Sequence, residues 1–155
     1  NVPADSKILV EPSHNTPPMG SYLNGVNFYG NYVLFYPQTD RHDYYQLYAL
    51  DTYRSLYNRG TDDNFRRNYI QSRLALVDWI VMDDTFLQQY QHLPSPDHAV
   101  VKQYYKDLFD GRLGFKLVKT FKTYPSLFGL TINDDDAELT FRLFDHPRIF
   151  VFLRQ

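Results

Sequence analysis

The sequence predicts one α/β domain, and three observations support this fold class. The chain has 155 residues, enough for a single domain with a sizeable core. Its 43% hydrophobic and 22% charged residues are typical of a globular protein. Short apolar runs alternate along the chain with stretches of helical periodicity, as they do when helices pack on a sheet. We therefore expect a three-layer sandwich, in which a mixed, mostly parallel sheet of about five or six strands has helices on both faces.

The first forty residues predict two strands separated by a loop. Residues 8–10, Ile-Leu-Val, form a short strand of the buried type. Residues 12–30 contain paired prolines and an Asn-Gly step, which are typical of turns. Residues 32–36 predict a second strand, because an apolar and aromatic run ends there at Pro37.

Two helices are expected between residues 43 and 77. The first covers residues 43–58 and is rich in tyrosine, which makes it a candidate face toward a membrane or a partner; packing of the same rings on the sheet is the alternative. Thr61 caps the second helix, which runs through Val77. Its predicted inner side consists of Phe65, Tyr69, Ile70, Leu74 and Val77.

The middle of the chain predicts a strand and two more helices. Residues 79–82, Trp-Ile-Val-Met, are continuously apolar, as a central strand covered on both faces would be. Asp84 can cap a short helix that reaches Tyr90. A longer amphipathic helix starts near Ala99, and Gly111 and Gly114 supply the permissive backbone that ends it.

The last forty residues predict three strands. Residues 115–121 alternate between apolar and polar positions, which indicates a strand near a sheet edge. Residues 139–144 and 149–153 are two further apolar runs. They flank Asp-His-Pro at 145–147, which predicts a turn.

Charge and composition exclude several classes of function. The net charge of −2 argues against general nucleic-acid binding, which needs a basic surface. The absence of cysteine excludes disulfides and thiolate metal sites, and it leaves the redox compartment open. The longest apolar stretch, residues 74–82, is too short to cross a bilayer. The chain opens with Asn-Val-Pro-Ala-Asp and enters a strand at once, so we expect a domain cut from a longer protein.

Five segments of the chain together resemble a known family. They are RLALVDWIVMDD at 73–84, YYKDLFDGRLGF at 104–115, TYPSL at 123–127, DDDAE at 134–138 and FDHP at 144–147. In this order they are similar to the extracytoplasmic C-terminal region of bacterial multi-pass glycosyltransferases of the protein O-mannosyltransferase-like or aminoarabinose-transferase-like kind. Those membrane proteins take a sugar from a polyprenyl phosphate carrier. The resemblance covers most of the chain from about Leu50 onward.

The resemblance implies a noncatalytic domain on the extracytoplasmic side of the cell membrane. In such enzymes the catalytic carboxylate and the contacts to the carrier phosphate lie in the membrane half. The resemblance therefore carries no catalytic residue, metal ligand or cofactor over to this chain. The expected partners are the membrane half of the parent protein and an acceptor glycan or protein, with no nucleic acid, and the isolated domain is expected to be a monomer. The alternatives are a small metal-dependent sugar- or phosphate-processing α/β enzyme and a protein-interaction domain of a membrane complex.

Four polar residues near strand ends are the candidate binding residues. Asp83 and Asp84 follow the predicted central strand, where ligands approach an open α/β sheet. Glu11 ends the first strand with His14 close by, and both could join the aspartates if the first and third strands are neighbours. Such carboxylates can hold a divalent ion and a sugar-nucleotide phosphate. The competing interpretation is that Asp84 caps the next helix and Asp83 is solvated.

Two other polar clusters predict turns instead of sites. Residues 134–136, Asp-Asp-Asp, lack the spaced acidic positions and the glycine of a helix-loop-helix calcium loop, so an exposed acidic turn is expected. His146 lies between Asp145 and Pro147, and adjacent residues in a tight turn point apart. A structural histidine beside a turn-stabilising aspartate is therefore expected there.

Overall fold

The computed structural model describes residues 3, 6–11, 33–34, 46–50, 62–92, 98–122, 124–138 and 147–155. These residues form a mixed sheet, a two-stranded hairpin and three helices. The strands are β1 (Lys7–Val10), β2 (Val33–Leu34), β3 (Gln46–Ala49), β4 (Trp79–Asp83), β5 (Phe115–Phe121), β6 (Ser126–Leu127), β7 (Leu130–Thr131) and β8 (Ile149–Arg154). The helices are α1 (Asp63–Leu74), α2 (Thr85–His92) and α3 (Ala99–Phe109). The predicted α/β class is therefore confirmed.

The main sheet has the strand order β2-β3-β1-β4-β8-β5. Strand β1 pairs in parallel with both β3 and β4, whereas β8 is antiparallel to β4 and to β5, and β2 is antiparallel to β3. A mixed sheet is thus confirmed, but the expectation of a mostly parallel one is wrong for the described strands. Strands β3 and β4 lie on opposite sides of β1 and run parallel to it, and α1 lies between them along the chain.

The predicted helix at residues 43–58 is wrong where the structure describes it. Residues 46–49 form β3, paired with β1 from Lys7↔Gln46 to Val10↔Ala49. Tyrosine has a high strand propensity, and pairing with a buried neighbour outweighed the weak helical pattern. The tyrosines at 44, 45, 53 and 57 lie outside the described residues, as does most of the predicted strand at 32–36, of which β2 is the described part.

Helix α1 begins and ends inside its predicted bounds. Asp62, not Thr61, is its N-cap, and the Asp62 side chain accepts a hydrogen bond of 2.6 Å from the backbone N–H of Asn64. The predicted inner side is wrong at Phe65, which is 50% exposed, while Arg66 is buried and pairs with Asp63 at 2.9 Å. The buried stripe therefore follows four-residue spacing through Arg66, Ile70 and Leu74.

Helix α3 matches its prediction and ends in a Schellman motif. Gly111 adopts φ +76°, a left-handed conformation that glycine takes at little cost. The Gly111 N–H donates to the Leu108 carbonyl at 3.1 Å, and the Arg112 N–H donates to the Asp107 carbonyl at 2.8 Å. These two bonds satisfy carbonyls that would otherwise be unpaired at the helix end. They direct the chain straight into β5.

The three helices and one face of the sheet share a hydrophobic core. Leu9, Ile80 and Phe152 are fully buried on this face, at matching positions of β1, β4 and β8. The ring of Phe109 packs edge-on against Phe150 and Phe152, with centroids 5.0 and 5.1 Å apart. The helices contribute Ile70 and Leu74 from α1, Leu87 and Tyr90 from α2, and Val100, Val101, Tyr104, Tyr105 and Leu108 from α3.

The opposite face of the sheet is covered as well. Ile8, Val10 and Val151 alternate with the core residues along β1 and β8, yet they are only 5–8% exposed. The described helices lie on the first face, so helices on both faces are not confirmed. Within the described ranges, no helix combines the length and the apolar character needed to cross a membrane.

Strand β5 is an edge strand, as predicted. Among the described strands it pairs with β8 alone, and all its residues after Phe115 are exposed. Strand β8 confirms the predicted strand at 149–153, whereas the other predicted strand, 139–144, lies outside the described residues. The hairpin of β6 and β7 was not predicted.

Candidate functional site

Two of the predicted binding segments meet at one edge of the sheet. Strands β1 and β4 are parallel neighbours, with Val10 paired to Val81, so Glu11 and the Asp83-Asp84 pair both follow the carboxyl ends of these strands. Along the chain, β1 is followed by β3, which lies on one side of β1, and then by β4, which lies on the other side. The strand order therefore reverses between β1 and β4. Open α/β sheets bind ligands at such a reversal of strand order. The first and third predicted strands are therefore neighbours, which is the condition on which the predicted convergence of Glu11 with the aspartates depends.

Glu11 is enclosed by the helix layer. Its side chain is 1% exposed, and both carboxyl oxygens accept hydrogen bonds from α3. The Tyr105 hydroxyl donates to Oε2 at 2.9 Å, and the Tyr104 hydroxyl donates to Oε1 at 3.3 Å. Burial raises the pKa of Glu11 to about 8; the Tyr105 hydrogen bond opposes this rise and the charge of Asp83 adds to it. Glu11 is therefore largely protonated at neutral pH.

Aromatic rings surround this carboxyl group. Tyr104 and Tyr105 have ring centroids 4.9 Å apart, and Tyr90 of α2 lies 5.9 Å from Tyr105. His98, at the start of α3, meets Tyr90 edge-on at 5.5 Å and is buried. Burial and the nearby Glu11 charge raise the pKa values of Tyr104 and Tyr105 well above the usual range. Both phenols therefore stay protonated and act as hydrogen-bond donors.

The two aspartates are buried and have different tasks. Asp83 is 2% exposed, and its Oδ1 accepts the Thr85 N–H at 2.9 Å, so its side chain caps α2. Asp84 is 5% exposed; its Oδ1 accepts the Arg148 N–H at 3.1 Å, and its Oδ2 lies 3.5 Å from Arg148 Nε. The interpretation with a solvated Asp83 and a capping Asp84 side chain is thus wrong, because Asp84 contributes only its backbone carbonyl to the helix, bonded to Gln88 N–H.

Arg148 connects the aspartates to the last strand. The Arg148 backbone N–H and guanidinium contact the Asp84 carboxylate, and the Arg148 carbonyl accepts the Asp84 N–H at 3.1 Å. Burial is the main cause that raises the pKa of Asp84, and Arg148 opposes the shift through its backbone hydrogen bond and its charge. The pair therefore stabilises the junction between β4 and β8 at the same edge.

Metal coordination is not supported by the described residues. In the described parts of the chain, no three histidine, aspartate or glutamate side chains are close enough to hold one ion. His14 and His146 lie outside those parts. In the acidic run, Asp135 and Asp136 are exposed as expected, but Asp134 is 7% exposed and its Oδ2 lacks a described hydrogen-bond partner. Lys122 and Tyr124 bind the Asp135 carboxylate.

In the described part of the chain, two grooves lie along α3. The α1–α3 groove has a volume of about 370 Å³, and the α2–α3 groove has about 560 Å³. Tyr104 lines the first and Tyr105 lines the second, so the two tyrosines that hold Glu11 also form the inner walls of the grooves. The polar residues of the α1–α3 groove are Arg67, Gln71, Gln103 and Asp107, and those of the α2–α3 groove are Gln91, Lys102, Lys106 and Asp110.

The sequence did not reveal the role of the two tyrosines. They fit the apolar stripe of α3 and were indistinguishable from ordinary core residues. A usable signal was present, because two adjacent buried tyrosines bring two hydroxyls that need partners. A carboxylate that ends a buried strand nearby is such a partner.

Comparisons with known proteins identify no family for this chain. No family model, no curated protein and no solved structure matches it.

Proposed function

We propose that this chain is a noncatalytic extracytoplasmic domain of a membrane-embedded glycosyltransferase-like protein, which covers the membrane half and binds an acceptor glycan. The α1–α3 groove is the observation that carries the glycan part. Its volume lies in the range of small-molecule sites. The membrane context rests on the sequence resemblance described above.

The groove has the chemistry that sugar hydroxyls require. Amides offer both donors and acceptors, a carboxylate accepts, and a guanidinium donates, so the four polar side chains can bind several hydroxyls at once. The Gln103 amide donates to Asp107 Oδ1 at 2.8 Å, which orients both groups before a ligand arrives. Apolar residues such as Leu74 and Leu113 form a surface for the C–H face of a sugar ring.

The noncatalytic part of the proposal is supported by the closure of the Glu11 cluster. A group that transfers a proton to a substrate must come within hydrogen-bond reach of it. Glu11 is enclosed by two tyrosines, and its contacts serve to fix α3 between the grooves. We assign Glu11 the role of positioning the groove walls. The burial of Ile8, Val10 and Val151 supports a covered second face and hence the three-layer arrangement.

A matched pair of glutamine variants tests glycan binding. Gln71 and Gln91 are both exposed helical residues, but Gln71 lines the α1–α3 groove and Gln91 lines the other. We expect an NMR titration with neutral hexose and hexosamine oligosaccharides of one to four units to show binding that Gln71→Ala weakens about three- to ten-fold, the value of one hydrogen bond. Gln91→Ala should bind as the wild type does. Absence of binding across the panel, or equal losses in both variants, contradicts the assignment.

The membrane context has its own test in intact cells that carry the parent protein. An epitope placed after Gln155 should be cleaved by an external protease, after permeabilisation of any outer layer. Protection of the epitope until the inner membrane is broken would place the domain in the cytoplasm and end the glycosyltransferase interpretation.

A second candidate function is that of a small sugar- or phosphate-processing enzyme. This function is supported by the raised pKa of Glu11, which lies with Asp83 at the carboxyl ends of two neighbouring strands, because carboxylates with shifted pKa values concentrate in active sites. A metal-dependent form requires tight binding of Mg²⁺, Mn²⁺ or Ca²⁺. Calorimetry that finds low-micromolar affinity, lost in Asp83→Asn, would favour this enzyme over the binding domain.

A further inference from the structure

The hairpin of β6 and β7 has an unusual residue at its turn. Two residues, Phe128 and Gly129, connect the strands, and both have positive φ, +49° and +82°. This is the signature of a type I′ turn, which strongly prefers Asn-Gly because side chains with a bulky Cβ are strained at positive φ. Phenylalanine is a costly choice for the first position.

Among the described residues, none buries the Phe128 ring to compensate for this choice. Phe128 is 96% exposed and the neighbouring Leu130 is 73% exposed. A strained conformation persists when something over-determines it, and such outliers concentrate at functional sites. Because the ring gains almost no burial against the described residues, it is available for contact with another molecule.

The segment around Phe128 is uncharged and exposes several apolar side chains. Residues 126–132, Ser-Leu-Phe-Gly-Leu-Thr-Ile, carry no charge, and Ile132 is 48% exposed. The nearest charge before the hairpin is Lys122, which lies over the Tyr124 ring at 4.3 Å and pairs with Asp135. Tyrosine with a lysine beside an apolar tip is the usual composition at a membrane interface.

The edge strand β5, which precedes the hairpin along the chain, bears on the choice of partner. Lys116 and Lys119 are exposed on β5, and the pairing with β8 shifts register between Leu117 and Lys119. Edge lysines and bulges are the features that prevent another strand from adding to a sheet. The same lysines attract anionic lipid headgroups. Of the four carboxylates that follow the hairpin, that of Asp135 is bound to Lys122 and that of Asp134 is buried, whereas Asp136 and Glu138 are exposed.

We propose that this hairpin inserts Phe128 and Leu130 into the interfacial region of a lipid bilayer that carries anionic headgroups. The inference rests on the hairpin and on β5 alone, so it stands or falls independently of the glycan groove. The chemistry is that of a shallow apolar anchor with adjacent cations.

Vesicle flotation of the full 155-residue chain tests the proposal. The probes are vesicles of phosphatidylcholine with phosphatidylglycerol at a ratio of roughly 3:1, and of phosphatidylcholine alone, with binding expected to favour the anionic vesicles. Phe128→Asn introduces the residue that the turn prefers and should reduce binding at least about ten-fold. Leu130→Ser should reduce binding less. The double variant Lys116→Gln with Lys119→Gln should bind anionic vesicles about five-fold more weakly for each lysine removed.

Phe65→Gln is the matched control. Phe65 is also a half-exposed phenylalanine, at 50%, but it lies on α1 and stacks on Tyr69. Its replacement should leave flotation unchanged. Failure of the wild type to float with either vesicle, or equal flotation of Phe128→Asn and wild type, would overturn the proposal. A concentration-dependent dimer that Phe128→Asn abolishes, without vesicle binding, would show that the hairpin contacts a second copy instead.

Discussion

Two regions of this domain reverse the usual distribution of polar and apolar side chains. Around Glu11, carboxyl groups are buried at the ends of β1 and β4; at the hairpin of β6 and β7, large apolar side chains are exposed. The first region is compensated from within, because hydroxyls, backbone N–H groups and Arg148 bind the buried oxygens. Among the described residues, none buries Phe128 or Leu130 of the hairpin in this way. Substitutions in the Glu11 region should therefore change the stability of the domain. Substitutions in the hairpin should change its binding to other molecules.

The largest expected effect concerns the pH dependence of stability at Glu11. Its carboxyl pKa rises from 4.5 to about 8 on folding, so between these values the folded state holds a proton that the unfolded state has lost. The free energy of unfolding should therefore fall as pH rises through this window, by about 1.4 kcal/mol per unit. The stability advantage is fully present below pH 4.5 and is lost by pH 8, a total of up to about 5 kcal/mol.

Denaturant unfolding at several pH values measures this effect in Glu11→Gln. Glutamine is neutral at every pH, so the variant should lack this contribution to the slope and be more stable than wild type at pH 9. Asp136→Asn, at an exposed carboxylate of the acidic turn, is the control and should change the slope little. Parallel curves for wild type and Glu11→Gln would show that Glu11 is not buried as a neutral acid.

The next effect separates the two tyrosines that hold Glu11. Tyr105→Phe should destabilise the domain by about 1–3 kcal/mol, because a buried carboxyl oxygen loses its 2.9 Å donor. Tyr104→Phe should cost less, since its bond of 3.3 Å is longer. A double-mutant cycle with Glu11→Gln measures the coupling of each hydroxyl to the carboxyl group. Equal effects with no coupling to residue 11 would mean that the hydroxyls act through other contacts.

The sequence predicted the buried region better than the exposed one. Periodicity located β1, β4, α1 and α3, and the strand ends placed Glu11 and Asp83 at one edge. The partners of Glu11 were not predictable, because hydrogen bonds between residues 93 and 94 positions apart leave no periodic pattern. Helix 43–58 failed for a related reason: β3 depends on pairing with a distant strand. The hairpin was missed because Phe-Gly lacks the turn signal that Asn-Gly would give.

The smallest effect has the opposite sign from most substitutions and bears on the hairpin alone. In the absence of lipid, Phe128→Asn should raise the free energy of unfolding by up to roughly 0.5–1 kcal/mol, because asparagine tolerates a φ of +49° that strains phenylalanine. Thermal unfolding of the two proteins in detergent-free buffer measures the difference, and Leu130→Ser serves as the comparison because it changes exposed apolar area without changing the turn. A clear loss of stability in Phe128→Asn would mean that the ring packs within the molecule. In that case the hairpin would be compensated from inside, as the Glu11 region is, and the contrast between the two regions would disappear.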